Sequence, residues 1–191
     1  QMIYEFCAEN VTLLEKAMEA GARRIELCDN LAVGGTTPSY GVTKAAVELA
    51  ANYDTTIMTM IRPRGGDFDY NDLEIDIMLE DIRLTAQAGS QGVVFGVLTA
   101  DKKLDKPNLE KLITASKGME IVFHMAFDEL SEEDQLEAID WLSQAGVTRI
   151  LTRAGVSGDS LEKRFAHYHR ILEHAKGKIE ILPGGGIDLD N

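Results

Sequence analysis

Residues 3–8, Ile3-Tyr4-Glu5-Phe6-Cys7-Ala8, and residues 24–28, Arg24-Ile25-Glu26-Leu27-Cys28, share one pattern, and that pattern decides the fold. Successive side chains of an extended strand point to opposite faces, so Glu5 and Cys7 share one face while Tyr4, Phe6 and Ala8 share the other. The second run repeats this, with Glu26 and Cys28 set against Ile25 and Leu27. A buried strand in an open doubly wound sheet is usually apolar on both faces. A barrel strand is apolar outward, beneath its helices, and can carry polar groups toward the barrel mouth. The reading is therefore an α/β fold of the TIM-type (β/α) barrel. No glycine-rich dinucleotide fingerprint follows the first strand, where Ala8-Glu9-Asn10 stands instead.

Outward from these two runs, strand-like segments at residues 55–61, 92–98, 120–123, 149–152 and 179–182 complete a set of seven. Helical periodicity over residues 11–20, 42–52, 73–88, 108–116, 132–145 and 161–175 alternates strictly with them. Glycines close the helices, as at Gly89 and Gly146, and Asn10, Asn71 and Ser131 are placed to cap helix starts. Nothing reads as a linker, so residues 1–191 form a single barrel domain. An eighth β/α unit is missing. The series stops at Asp188-Leu189-Asp190-Asn191, where a seventh helix should begin, which predicts that the natural chain continues or that a partner fills the gap.

With 32 acidic against 19 basic residues the formal charge is −13, which repels phosphate backbones and anionic lipid heads. Nucleic acid and membrane partners are not expected. The apolar stretches are strand-sized and no secretory pattern opens the chain, so the expected address is cytoplasmic. Two cysteines cannot form a secreted disulfide framework. Cys7 and Cys28 are expected as free thiols, a single bridge remaining open if they prove adjacent. A homo-oligomer is compatible with the sequence but not specified by it.

Barrel active sites lie where the strands end, so scattered residues converge on one rim. Cys7 and Cys28 occupy equivalent places on neighbouring strands roughly 4.8 Å apart, within reach of one ion. Met60, with Met58 from the same strand, adds soft sulfur of the kind Cu(I) prefers, although buried cysteine and methionine also serve as ordinary core fillers. Glu5 and Glu26 need partners if buried, and Arg62 is the expected one. Alternatively Arg62 and Arg64 clamp a small anionic metabolite, phosphorylated or carboxylate. Gly184, Gly185 and Gly186 would then form an anion cradle after the last strand, in a position that a tight turn would equally explain. His124 and Asp128 could act as general base and orienting carboxylate of a lyase, isomerase or hydrolase, or His124 could be a satisfied core histidine. His167, His169 and His174 are assigned no chemistry, and His167 is expected at the surface.

The strand-end segments Glu26-Leu27-Cys28, Gly34-Gly35-Thr36-Thr37-Pro38-Ser39, Ile61-Arg62-Pro63-Arg64-Gly65-Gly66-Asp67-Phe68, Phe123-His124 with Ala126-Phe127-Asp128, and Pro183-Gly184-Gly185-Gly186 together resemble the CutC copper-homeostasis family. The resemblance runs from the first strand to the last residue. It implies a cytoplasmic barrel with no assigned reaction, associated with copper tolerance and proposed to bind Cu(I) through cysteines. By that analogy Cys7 and Cys28 carry metal while Arg62, Arg64, His124 and Asp128 line the cavity. There are two departures from the family pattern. Met125 replaces the arginine of His-Arg-Ala-Phe-Asp, and Leu151-Thr152-Arg153-Ala154-Gly155 replaces Leu-Thr-Ser-Gly. The lost and gained arginines either compensate electrostatically or shift ligand preference.

Overall fold

The computed structural model describes residues 3–154 and 158–184. Seven strands, β1 Glu5–Glu9, β2 Arg24–Cys28, β3 Thr56–Met60, β4 Gly92–Phe95, β5 Glu120–Phe123, β6 Arg149–Thr152 and β7 Glu180–Pro183, alternate with six helices. The helices are α1 Leu14–Glu19, α2 Tyr40–Ala50, α3 Asp72–Gln87, α4 Lys106–Ala115, α5 Glu132–Ala145 and α6 Leu161–Ala175. All strands pair in parallel in the order β1 to β7. The wall curves as an open half-barrel: among the described residues β1 pairs only with β2 and β7 only with β6.

The helices form where the sequence offers caps. Ser131 accepts from the Asp134 N–H at the start of α5, whose first turn carries Glu132, Glu133 and Asp134 against the positive end of the helix dipole. Asn71 and Glu74 form a reciprocal capping box on α3. Asn10 does not cap α1. Its backbone N–H is held by the Cys28 carbonyl at 2.8 Å and its side chain by Asp29 at 3.1 Å, so the chain stays beside β2 and the helix begins only at Leu14. β1 is likewise displaced two residues from its expected start. Its register runs to Glu9 against Cys28, while Ile3 and Tyr4 lie exposed at the open edge.

Alternation then sorts the side chains. Ile25, Leu27 and Ile57 turn outward into a core against α1 and α2, and a larger core lies beneath α3 to α6. Inward, the register sets Cys7, Glu26, Met58, Gly92 and Glu120 in one row across five strands. Next to it runs the row Met60, Val94, Val122 and Arg149. Arg149 is 2% exposed and closes the floor, paired with Glu120 at 3.2 Å and Glu180 at 3.8 Å, with a guanidinium nitrogen 3.8 Å from Met58 Sδ. The sulfur of Met58 is thereby committed to the floor rather than to the rim.

Candidate functional site

Two inward-facing groups stand at the open end. The first is sulfur-rich. Cys7 lies beside Glu26, and Cys28 follows Glu26 by two residues on the same face of β2. One ligand atom from each of the three lies within 4.8 Å of the others. Cys28 and Glu26 are buried, Cys7 is exposed at the edge strand, and both thiols are free. Burial, reinforced by the charge of Glu5, pushes the Glu26 carboxyl up to about 7, with the Cys28 thiol opposing. The neighbouring Cys7 thiol, burial and the Glu26 charge all raise the pKa of Cys28. The Cys28 thiol therefore holds its proton until a cation displaces it. Met60, 3% exposed, packs in the same inner cluster as Cys28.

The second group surrounds a cavity of about 390 Å³ lined by Glu26, Val33, Gly34, Met60, Arg62, Phe68, His124, Met125, Asp128, Glu129, Leu151 and Arg153. Glu26 connects the two groups, since it lies both in the sulfur cluster and on the cavity wall. Cys7 and Cys28 do not border the cavity itself.

Arg62 is not the partner of Glu26 or Glu5. Glu5 pairs with Arg24 at 3.3 Å, whereas Arg62 donates to the carbonyls of Val33 at 2.6 Å, Gly35 at 3.1 Å and Gly66 at 2.9 Å. The planar guanidinium suits this task, tying the loop after β2 to the loop after β3 while its face lies 5.1 Å from the Phe68 ring. Arg64 stands outside the cavity. It pairs with Glu74, stacks on Tyr70 at 4.9 Å and donates to the Asp69 carbonyl at 2.9 Å.

His124 and Asp128 form no dyad. His124 Nδ1 accepts from the Ala126 N–H at 3.1 Å, and the Cε1–Nδ1 edge lies against Gly96, where a Cβ would come within 2.5 Å of the ring. Asp128 accepts from the Thr152 hydroxyl and from the Arg153 N–H at 3.0 Å, and the Arg153 guanidinium lies 3.8 Å away. Burial raises the Asp128 pKa, these donors opposing. Burial, then the charge of Arg62, brings the His124 pKa down to about 3, so the imidazole is neutral. With Nδ1 accepting, hydrogen-bond logic assigns the ring proton to Nε2.

The exchanged arginine also has a place: Arg153 brings a guanidinium nitrogen to 3.9 Å from Met125 Sδ, so a cation stands over the side chain that replaces one. Gly184 ends the described chain, packed so that a Cβ would lie 2.3 Å from Leu151; Gly185 and Gly186 lie outside the described residues. His167 is buried rather than at the surface, held between Glu132 at 2.6 Å and Gln135 at 2.7 Å. The sequence reading missed Glu26 as a possible ligand, although its place between two inward cysteines in the strand alternation was the available signal. No helix is long and apolar enough to cross a membrane among the described residues.

Residues 2–191 match the CutC family. A family protein CutC of Enterococcus faecalis is 51% identical over 190 residues, covering 100% of this chain and 91% of that protein. The human copper homeostasis protein cutC homolog is 40% identical over 185 residues, covering 97% of this chain and 65% of its own length. A solved CutC structure from Streptococcus agalactiae superposes with a TM-score of 0.94 at 44% identity, covering 100% of this chain and 91% of that one. Half-barrel wall, strand-end segments and whole-length similarity lead to one statement: this chain belongs to the CutC family and is a homologue of the copper homeostasis protein CutC.

Proposed function

We propose that this CutC homologue binds copper as Cu(I), as cytosolic cargo, through the thiolates of Cys7 and Cys28, with Met60 as an auxiliary soft ligand. The observation that carries the reading is the approach of the Cys7, Glu26 and Cys28 ligand atoms to within 4.8 Å of one another. Two metal–thiolate bonds of about 2.3 Å each span nearly that distance, so an ion needs only a few tenths of an ångström of adjustment. Thiolate and thioether donors suit Cu(I), whereas carboxylate does not, which makes Glu26 an electrostatic neighbour more than a bonded ligand. Its carboxyl helps to offset the charge of an arriving cation.

The test is a cuprous titration against a chromogenic Cu(I) chelator, with wild type, Cys7→Ser, Cys28→Ser and the double variant. Wild type is expected to take up one ion per chain, and the double variant none in competition. Equal stoichiometry and affinity in the double variant and the wild type end the proposal.

A further inference from the structure

Three carboxylates line the cavity beside the sulfur cluster, and two of them already have cations. Asp128 has the Arg153 guanidinium at 3.8 Å, and Glu129 has the Lys102 ammonium at 3.6 Å. Glu26 forms no ion pair among the described residues. Its one hydrogen bond comes from the Cys28 thiol to Oε1 at 3.8 Å, and the charged group that acts on it is the like-charged Glu5. Glu26 Oε2 is therefore without a partner. It also keeps open surface, unlike the sealed unpartnered atoms Arg62 Nε, His124 Nε2, Arg149 Nε and the Tyr70 hydroxyl oxygen. Since Glu26 is only 7% exposed and lines the cavity, that surface opens into the cavity.

The two cations of the lining do not answer this charge. Arg62 directs its guanidinium to the carbonyls of Val33, Gly35 and Gly66, and Arg153 lies against Asp128. A carboxylate taken out of water without a counter-charge is costly, so a cavity that opens on one is a place for a cation. The rest of the lining says which kind. Met60, Phe68, Met125 and Leu151 give it an apolar wall, which suits a hydrocarbon body, and about 390 Å³ falls at the small end of ligand pockets. An ammonium on a short alkyl chain meets both demands, because its N–H groups make charge-assisted bonds to a carboxylate while the chain covers apolar surface.

We propose that this cavity binds a small primary amine as its ammonium ion, on a short apolar body, with the N–H groups received by Glu26 Oε2. This goes beyond metal binding and uses neither cysteine as a ligand.

The experiment is an NMR titration of metal-free wild-type protein labelled at the methionine methyl groups. The Met60 and Met125 resonances are followed as butylammonium, tetramethylammonium, butanol or butyrate is added. Butylammonium is expected to shift both saturably and to bind about ten-fold or more tighter than butanol or butyrate. Tetramethylammonium, which carries the charge without an N–H, should bind more weakly than butylammonium. Glu26→Gln keeps the shape, removes the charge and should weaken butylammonium by about ten-fold or more. The proposal is overturned by no saturable shift with butylammonium, by any of the other three binding as tightly, or by folded Glu26→Gln binding like wild type. The wild-type series decides the matter if the variant does not fold. Because copper is absent throughout, failure of this site and failure of Cu(I) binding are read separately.

Discussion

His124 ties protonation to folding. Its imidazole ordinarily titrates near 6.5, and burial with the nearby Arg62 charge lowers this to about 3. Below pH 6.5 the unfolded chain takes up a proton that the folded chain refuses, so the His124 contribution is intact above 6.5 and is lost as pH falls toward 3. Each pH unit in that window removes about 1.4 kcal/mol of stability through this one group. In denaturant unfolding series at neutral pH and at about pH 5, the wild-type advantage over His124→Phe should therefore shrink by about 1–2 kcal/mol at the acid end. Parallel curves would show that the imidazole is not buried neutral. At Glu26 the expected effect, on the proposed copper binding, is on the ion. Glu26→Gln should preserve one bound Cu(I) but lower its affinity by on the order of ten-fold, because a neighbouring anion is lost without loss of a thiolate. A loss of stoichiometry in the chelator competition would instead make the carboxylate a bonded ligand.

Between the strands, the inner rows fit because small residues face large ones. At Gly92 a Cβ would lie 2.2 Å from Met58 Cε and 2.8 Å from the Glu120 carbonyl oxygen. The methionine can swing aside, but the backbone oxygen belongs to the β4–β5 ladder and cannot. Gly92→Ala should thus destabilise by about 1–3 kcal/mol in chemical denaturation, and Met58→Ala should not rescue it fully. Complete rescue would place the whole strain on the methionine tip. These rows also explain what was legible from sequence. β2, β5, β6, α5 and α6 fall on their expected bounds because their alternation or periodicity is uninterrupted. β1 slipped by two residues because Ile3 and Tyr4 are apolar yet lie at an unpaired edge, where burial does not enforce the pattern. Among site residues, the inward direction of Cys7, Glu26 and Cys28 followed from period two alone. The partners of Arg62 and His124 did not, because they are backbone groups, Val33, Gly35 and Gly66 carbonyls and the Ala126 N–H, and sequence gives no position for a loop carbonyl.

At the scale of the molecule, the weak point of the wall is its edge. Among the described residues β1 is hydrogen-bonded on one side only, with Tyr4 just before it and Phe6 on it 66% and 42% exposed, so its local opening should be easier than that of β3 or β4. Cys7 sits on this edge strand and Cys28 on the interior β2. An ion bridging them would staple β1 to the rest of the sheet, and since an opened β1 cannot hold the bridge, loading stabilises the closed wall by mass action. At a free ion concentration about a hundred times the dissociation constant this amounts to about 2.7 kcal/mol. Hydrogen exchange with and without Cu(I) reads this directly. Protection should rise most in residues 5–9, less in β2, and little in β4 and β5, whose openings do not break the bridge. Loading should also tighten as pH rises, because Cys28 must give up a proton that its surroundings hold firmly. Uniform protection across all strands would mean that the ion binds elsewhere or stabilises the fold without bridging its edge.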